Sequence, residues 1–258
     1  MRASVRTFWA LFIVSALPLW GCGGGKGGAD AGVDAGIDLE SYFGLQVGRC
    51  FEYTTAGTAQ PTPDLGVMVE KIDTVQFPVP TWVVAYTTTS VRMRDYLAAD
   101  GNSLMLYKRE IYGGNTYIYN PPQQRLVAPL KPGAAQQSST QVTIRDGANT
   151  ITASNETHDL RVDIFALSDL HLPLGVDVKA SKVSFSETPN VKRAELRSFI
   201  AGDGTRTGTD GWVAINYNFE LNEDLSPSSY TLQNVRDLGA DPTHTADGGM
   251  AAPCGIVP

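Results

Sequence analysis

Apolar and polar residues alternate at every second position along much of the chain. This is the pattern of β-strands that bury one face and leave the other wet. In the clearest run, 212–221, every odd position is apolar, and the runs 160–164 and 82–86 repeat the alternation. The pattern therefore predicts antiparallel strands with one face directed to a core.

Turns and irregular positions separate these runs. In the run 176–185 the apolar positions shift by one after Ala180, which predicts a β-bulge near Ser181 and Lys182. Gly-containing dipeptides that favour hairpin turns occur at Asp100-Gly101-Asn102, Gly113-Gly114-Asn115, Asp146-Gly147 and Asp203-Gly204. Prolines at 121, 122, 129 and 132 predict an extended, non-pairing segment that breaks the meander.

These elements together indicate the fold class. We expect one short helix, from Asp38 to Phe43, leading into the first strand. The rest is expected to be all-β: a strongly curved antiparallel sheet, as a half-open barrel or clam-like meander, with few or no helices. The domain is expected to span residues 40–258 as one unit, with an irregular tail from about residue 239.

The first 21 residues have a different pattern, with two arginines ahead of an apolar stretch at 8–19. This is typical of a signal peptide, and the stretch is shorter than the roughly 20 residues of a spanning helix. The sequence Leu19-Trp20-Gly21-Cys22 resembles the bacterial lipobox, although Trp20 replaces the small residue usual there. The resemblance implies cleavage before Cys22 and lipid attachment to it. The alternative is an ordinary signal peptide cleaved nearby.

Residues 22–39 follow as a Gly-, Ala- and Asp-rich segment that cannot bury apolar surface. We interpret it as a flexible linker with a reach of about 20–24 Å. In the enteric rule, an Asp directly after the lipidated Cys retains a lipoprotein in the inner membrane. Here that position is Gly23. The expected location is therefore the outer membrane of a Gram-negative bacterium, with the periplasmic and the surface face both open.

Charge narrows the range of partners. After removal of residues 1–21 the chain carries 18 basic and 27 acidic side chains, a net charge of −9 with His neutral. A chain this acidic lacks the excess of basic residues with which nucleic-acid-binding proteins contact phosphates. Its contact with a membrane would depend on the acyl chains rather than on surface charge.

Two cysteines remain after Cys22, at positions 50 and 254. An exported chain meets an oxidising compartment, where such a pair usually forms a disulfide. A Cys50–Cys254 bond would join the first strand to the end of the chain. The alternative is two unpaired thiols.

No residue pattern indicates catalysis, a metal or a cofactor. The histidines, His158, His171 and His244, lack a second His or Cys at ligand spacing. We place His158 in a turn ahead of the strand 160–164. The loop 203–210 lacks the spacing and the bidentate Glu of a calcium loop. An enzyme is therefore the least favoured of three function classes. It remains one of the three because residues scattered along the sequence can still converge in a fold.

Aromatic residues on neighbouring strands are the main candidates for ligand contact. They could line the concave face of the sheet and receive an apolar ligand, or they could simply fill the core. The candidate lining residues are Trp82, Tyr86, Tyr107, Tyr117 and Tyr119, with Tyr112 nearby.

The segment 41–53, with Tyr42, Phe43, Leu45, Gly48 and Tyr53, resembles the opening of many uncharacterised bacterial lipoproteins, which read Tyr-Phe-Pro-Leu-x-x-Gly-x-x-Trp-x-Tyr. Gly44 and Phe51 replace the usual Pro and Trp. Three later segments, 128–133, 172–180 and 208–213, are similar in the same order. The resemblance implies a curved sheet like that of half-barrel lipoprotein carriers, and no catalytic residues.

The function expected from these features is that of a non-enzymatic, membrane-anchored lipoprotein that binds a lipid or other apolar small molecule in a curved sheet. The alternative is a structural or protein-interaction module with a partner protein in the cell envelope.

Overall fold

A computed structural model describes residues 37–89, 92–188, 194–200, 211–217, 228–238 and 254 of the chain. For 194–200, 211–217 and 228–229 the description is of the backbone alone. The expected signal peptide, Cys22 and the linker as far as residue 36 lie outside these residues. So do the turn at Asp203-Gly204, positions 218–221 of the clearest alternating run, and His244.

The described residues form one short helix and twelve strands. Their bounds are α1 Leu39–Phe43, β1 Arg49–Thr54, β2 Leu65–Asp73, β3 Thr81–Thr87, β4 Arg92–Asp100, β5 Ser103–Ile111, β6 Thr116–Val127, β7 Ala135–Arg145, β8 Ile151–His171, β9 Asp177–Thr188, β10 Ala194–Ile200, β11 Gly211–Tyr217 and β12 Ser228–Asp237.

Every strand pairs antiparallel with its neighbours in sequence, so the sheet is a meander. Strand β12 also pairs with β1, which gives a curved sheet of ten strands running from β12 through β1 to β9. Strands β10 and β11 pair between β9 and β12, so that the order of strands closes on itself. The predicted all-β, curved antiparallel sheet with almost no helix is confirmed. Strands β10 and β11 supply the pairing between β9 and β12 that a half-open sheet would lack.

Helix α1 begins and ends where the sequence indicates. The side chain of Asp38 accepts a hydrogen bond from the Glu40 backbone N–H, as expected of an N-cap residue. Gly44 ends the helix at φ 67°, a conformation that side-chain-bearing residues adopt at a cost. The predicted helix is confirmed. Leu39 is 4% exposed, and Ile37 ahead of it packs against the same core while partly buried.

The hairpin turns follow the predicted Gly positions. Gly101 joins β4 to β5 at φ 56°, and Gly113 joins β5 to β6 at φ 72°. The predicted irregularity near Ser181 and Lys182 is present as well. Its extra residue lies on the partner strand, since β8 changes register between Ile164 and Leu167 opposite Lys182.

The expectation that Pro121 and Pro122 break the meander is wrong, because both lie inside β6. The β5 ladder passes over them: Lys108 pairs with Ile118, and Leu106 then pairs with Gln123. The two residues that lack an N–H therefore fall at a bulge, the place inside a sheet where proline is tolerated. Pro129 and Pro132 lie in the connection between β6 and β7, outside the strands.

The Cys50–Cys254 disulfide is present, with the two Cα atoms 5.6 Å apart, as predicted. The pair forms a small buried cluster with Met68, apart from the main core, and Leu238 packs against it. Closing a loop of 204 residues removes unfolded-state entropy worth about 5 kcal/mol at most. The bond thus pins the end of the chain to the first strand.

Candidate ligand-binding site

A cavity of about 30 Å³ lies between the end of α1 and the sheet. Most of the side chains around it are aliphatic or aromatic, and two are charged. The lining consists of Phe43, Gly44, Leu45, Phe51, Val67, Val69, Val84, Tyr86, Asp95, Leu97, Leu104, Arg125, Leu126 and Phe185.

Residues 39–45, which we call the plug, cover this cavity on one side. Phe43 and Leu45 are 2% and 4% exposed. The Tyr42 hydroxyl accepts a hydrogen bond from the Leu130 backbone N–H at 2.9 Å. Burial raises the pKa of Tyr42, and the Leu130 hydrogen bond opposes that rise only in part. The plug is thus held by apolar burial and by one hydrogen bond to the β6–β7 connection.

The two charged residues that line the cavity, Asp95 and Arg125, each lie beside a residue of opposite charge. Arg109 on β5 donates two hydrogen bonds to the Asp95 carboxylate on β4, Nε to Oδ1 and a terminal nitrogen to Oδ2, both at 2.6 Å. The two residues are 2% and 3% exposed. This two-point geometry is the strongest that Arg and a carboxylate form, and it holds the Asp95 oxygens in place.

A second set of buried polar residues surrounds Arg125. Its guanidinium donates to Gln123 Oε1 at 3.1 Å and lies 3.7 Å from a Glu187 oxygen. The other Glu187 oxygen is 2.8 Å from Nδ1 of His158. The Arg125 guanidinium also lies over the Phe185 ring, 4.8 Å from its centre.

We call these six buried residues the polar network: Asp95, Arg109, Gln123, Arg125, His158 and Glu187. Its two arginines balance the charge of its two carboxylates. A buried group of this kind is stable only when every charge has a partner. The network therefore adds polar side chains to the interior without adding net charge.

The assignment of His158 to a turn is wrong, because it lies within β8 and is 2% exposed. It alternates in phase with Leu160, Val162 and Ile164, which are buried too. The sequence signal was thus present, as a polar residue extending an apolar face by one step.

The five candidate aromatic residues divide between core, cavity and outer surface. Tyr86 lines the cavity. Tyr117 and Tyr119 are buried in the main core, and Trp82 packs against that core while half-buried. Most of the predicted lining is therefore core, and Tyr86 alone of the five reaches the cavity.

Tyr107 lies on the outer face, contrary to the prediction. It is the extra residue of a bulge, since Tyr96 pairs with Lys108 and the next residue, Leu97, pairs with Leu106. The Tyr107 ring packs 5.1 Å from Phe77, which also contacts Tyr96. Tyr112, in the neighbouring turn, is 77% exposed and far from a lining role.

The charged residues at the cavity were missed by sequence reasoning, which assigned charged positions to the wet face. Asp95 nevertheless lies midway between Met93 and Leu97, two apolar positions of the same face. A charge in phase with an apolar stripe is the pattern that could have identified it.

No protein-family model, curated protein or solved structure matches the chain. Among the residues that the structure describes, no helix has the length and apolar character needed to cross a membrane. In that same part of the chain, no three His, Cys, Asp or Glu side chains are grouped so as to hold a metal ion.

The cavity is lined mostly by apolar side chains with two charged residues, Asp95 and Arg125, which is the composition typical of small-molecule sites. Its present volume of about 30 Å³ is room for one water molecule. Small-molecule pockets usually measure about 300–1,000 Å³. A ligand therefore needs space that the plug now occupies.

Proposed function

We propose that this chain is a membrane-anchored, non-enzymatic lipoprotein that takes up the apolar part of a ligand beneath the plug. The observation that carries the proposal is the largely apolar cavity, part of whose lining comes from residues 43–45 of the plug. The plug follows directly on the expected linker, so the lid of the cavity is also the point where the tether enters the domain.

A short helix is well suited to act as a lid. Helices shorter than about 12–15 residues are not stable alone in water, and α1 has five. Its position depends on the burial of Phe43 and Leu45, worth about 1.5–3 kcal/mol each. Burying roughly four to eight methylene groups, at about 0.8 kcal/mol each, would offset that loss. An acyl chain supplies that many.

The membrane anchor is supported by the resemblance of residues 19–22 to a lipobox and of 41–53 to the opening of bacterial lipoproteins. We propose lipidation at Cys22 and residence in the outer membrane of a Gram-negative bacterium. Mass analysis of the mature N-terminus tests this, with a diacylglyceride-modified Cys22 as the expected result. An unmodified start downstream of Cys22 would exclude the anchor.

Ligand uptake is tested on the mature chain carrying Cys22→Ser, which needs no detergent. Native mass spectrometry should show a bound lipid or fatty acid, and a fluorescent fatty acid should bind after delipidation. Phe43→Ala should raise the affinity for that probe, because it weakens the plug. Phe165→Ala, at a position 48% exposed on β8, is the matched control and should leave affinity unchanged.

A structural or protein-interaction module of the cell envelope is the second candidate. It is favoured by the small cavity, since paired charges and core aromatics already fill most of the interior. Absence of a co-purified ligand, together with no probe binding by either the parent chain or Phe43→Ala, would establish this candidate over the first. Crosslinking in cells would then identify the protein partner.

A further inference from the structure

We propose that the folded domain rests on the lipid bilayer that holds its anchor, with the end of the sheet that carries the plug against the lipid. This inference rests on the proposed function, which supplies the anchor at Cys22. The observation behind it is where the exposed apolar side chains lie.

The connections of the meander divide between the two ends of the sheet. Because each strand reverses the direction of the one before it, successive connections alternate between those ends. The plug leads into β1, so it shares an end with the β2–β3 connection, the β6–β7 connection and the β8–β9 turn. We call this the plug end. The β5–β6 and β7–β8 turns lie at the opposite end, which we call the far end.

Exposed apolar side chains are concentrated at the plug end. In the described part of the chain, five of the seven large ones lie there and two lie at the far end. The five form two patches. The loop patch consists of Ile72 and Val75, and the hairpin patch consists of Phe165, Leu167 and Val176. Their exposed fractions range from 42% to 89%.

The hairpin patch lies where the β8–β9 hairpin extends past its neighbouring strands. Strand β7 begins at Ala135, opposite Asp163, and the pairing of β10 with β9 stops opposite Ser181. Beyond these positions, β8 and β9 pair only with each other among the described strands. Leu172 and Val178 of this extension belong to the main core. The core therefore supports the hairpin patch, which is not a loose tip.

The two patches lie on opposite sides of the plug end. In the strand order, β4 to β7 separate β3 from β8 in one direction. In the other direction, β1, β12, β11 and β10 separate β2 from β9. A flat surface that touches both patches would therefore extend across the plug end.

Hydrogen bonds connect the plug to both sides. Gly48, just after the plug, donates to the Val69 carbonyl on β2 at 2.9 Å. On the other side, Tyr42 accepts from Leu130 in the β6–β7 connection, and the same connection donates to the Ile164 carbonyl on β8. The plug thus lies between the two patches. Docking through both would bring it to the lipid from which an acyl ligand would come.

The charges on the hairpin favour an apolar surface over a strongly charged partner. They are of both signs and lie beside each other: Lys179 is 3.8 Å from Asp169, and His171 is 2.7 Å from Asp177. Neither sign dominates, so contact should depend on the burial of apolar side chains. It should therefore be insensitive to salt.

The tether makes the bilayer the nearest apolar partner. The described chain begins at Ile37, which packs against the core 15 residues after Cys22. A short flexible linker holds a tethered group at an effective concentration of roughly millimolar. Patches that bind lipid only weakly in free solution are therefore sufficient once the anchor is in place.

The tether also selects which end docks. The far end lies up to about 30 Å from the plug end, since β5 spans nine residues at about 3.4 Å each. The expected linker reaches about 20–24 Å on average. Docking by the far end would place Ile37 beyond that reach, whereas docking by the plug end keeps it close to the bilayer.

The test uses the full lipidated chain, made with its own signal peptide and reconstituted into phosphatidylcholine nanodiscs. Some of the lipids carry a nitroxide on the acyl chain, which broadens the NMR signals of nearby methyl groups. The methyl signals of Val75, Leu167 and Val176 should broaden, and that of Ile151 at the far end should not. Salt at about 1 M, where charges are screened within about 3 Å, should not reverse the broadening.

The variant Phe165→Ser/Leu167→Ser removes two apolar side chains of the hairpin patch. The ratio of docked to undocked protein, measured from the broadening of Val75, should fall at least about tenfold. Tyr112→Ser/Ile151→Ser is the matched control, because it replaces the two exposed apolar side chains at the far end, and it should behave as the parent. Neither patch lines the cavity, so substitutions in them leave ligand affinity in solution unchanged.

Equal broadening at both ends, or at neither, in a chain with lipidated Cys22 would overturn the inference and leave the proposed function standing. Signals of Val75 and Leu167 that shift with protein concentration before any nitroxide lipid is added would assign the patches to a second copy of the chain, and would overturn it too. If Cys22 carries no lipid, the docking and the proposed anchor are both wrong.

Discussion

The plug and the polar network bound the same cavity, but different forces hold them in place. The plug depends on buried apolar side chains and one hydrogen bond from Leu130. The network depends on charges that are buried in pairs, such as Asp95 with Arg109. Apolar burial is lost gradually as a segment moves, whereas separating a buried ion pair leaves an uncompensated charge. Of the two, the plug should therefore be the easier to displace.

The largest effect should come from breaking the network at one partner. Arg109→Met leaves Asp95 charged and buried, and we expect it to lower the free energy of unfolding by about 3–5 kcal/mol. Arg109→Met/Asp95→Leu removes both charges and should recover most of that loss. Urea unfolding of both variants measures this.

Arg94→Met is the control for that experiment, because the Arg94 side chain is half exposed in its pair with Glu70. We expect a change of about 0–1 kcal/mol there. A double variant as unstable as Arg109→Met alone would show that packing, and not the unpaired charge, is what the network contributes.

Truncating an apolar side chain that lines the cavity should lower the stability somewhat less, and an apolar guest should restore part of the loss. Leu126 lines the cavity and is 1% exposed, so Leu126→Ala should cost about 2–5 kcal/mol and enlarge the cavity. An apolar guest such as benzene should bind the enlarged space and restore part of the stability. Leu167→Ala, at a position 58% exposed, should change stability by less than about 0.5 kcal/mol. Failure of benzene to stabilise Leu126→Ala would mean that the walls collapse into the gap.

Loosening the plug should have an effect of intermediate size. Tyr42→Phe leaves the Leu130 N–H without its acceptor, and we expect a loss of about 0.5–1.5 kcal/mol. Hydrogen exchange at the Leu130 amide should become faster. Tyr112→Phe, at an exposed turn, should change neither quantity.

The contact between Tyr42 and Leu130 also predicts that the stability of the fold decreases at alkaline pH. Burial raises the pKa of Tyr42 in the folded state, so its contribution is complete below the ordinary tyrosine value of about 10. That contribution is lost as the pH rises above this value, because the unfolded chain ionises first. Stability that is flat between about pH 8 and pH 11 would contradict this account of the plug.

The smallest effect should be a local one at Asp73, a carboxylate held by backbone N–H groups instead of by an arginine. Val75 and Gln76 donate to its Oδ1 at 2.8 and 3.0 Å, and these bonds lower the pKa of Asp73. The lowered pKa stabilises the loop above the ordinary value of about 3.9, and this is lost as the pH falls through the lower folded-state value.

Amide proton shifts of Val75 and Gln76 should therefore move in an acid titration with a midpoint below about 3.9. Asp73→Asn keeps an oxygen acceptor that does not titrate, and it should abolish the transition. A transition that remains in Asp73→Asn would assign the titration to another carboxyl group.

Much of the fold follows from period-two alternation, and the departures follow from bulges. The run 82–86 places Tyr86 inward, as its phase with Val84 predicts. Tyr107 faces outward because it follows the buried Leu106, and the extra residue at the bulge is what directs Arg109 and Ile111 inward. Leu106-Tyr107-Lys108 contains no Gly or Pro that would mark such a bulge, so the sequence offers no local sign of it.

The charged residues at the cavity were hidden for a different reason. Burial of Asp95 and Arg109 is acceptable only because they meet, and that meeting depends on the register of β4 against β5. Register is a property of two strands together, so neither strand predicts it alone. The disulfide was predictable because Cys50 had a single remaining candidate partner in Cys254.

The bond between Cys50 and Cys254 also determines how the molecule bears tension. A pull applied between the two ends of the chain runs from the N-terminal side to Cys50, crosses the sulfur atoms, and leaves at Cys254. The strands β2 to β12 lie within the bypassed loop and carry none of that load. Of the described elements ahead of Cys50, α1 alone lies on the stressed path. A force that enters from the N-terminal side therefore acts on the plug before it reaches the disulfide.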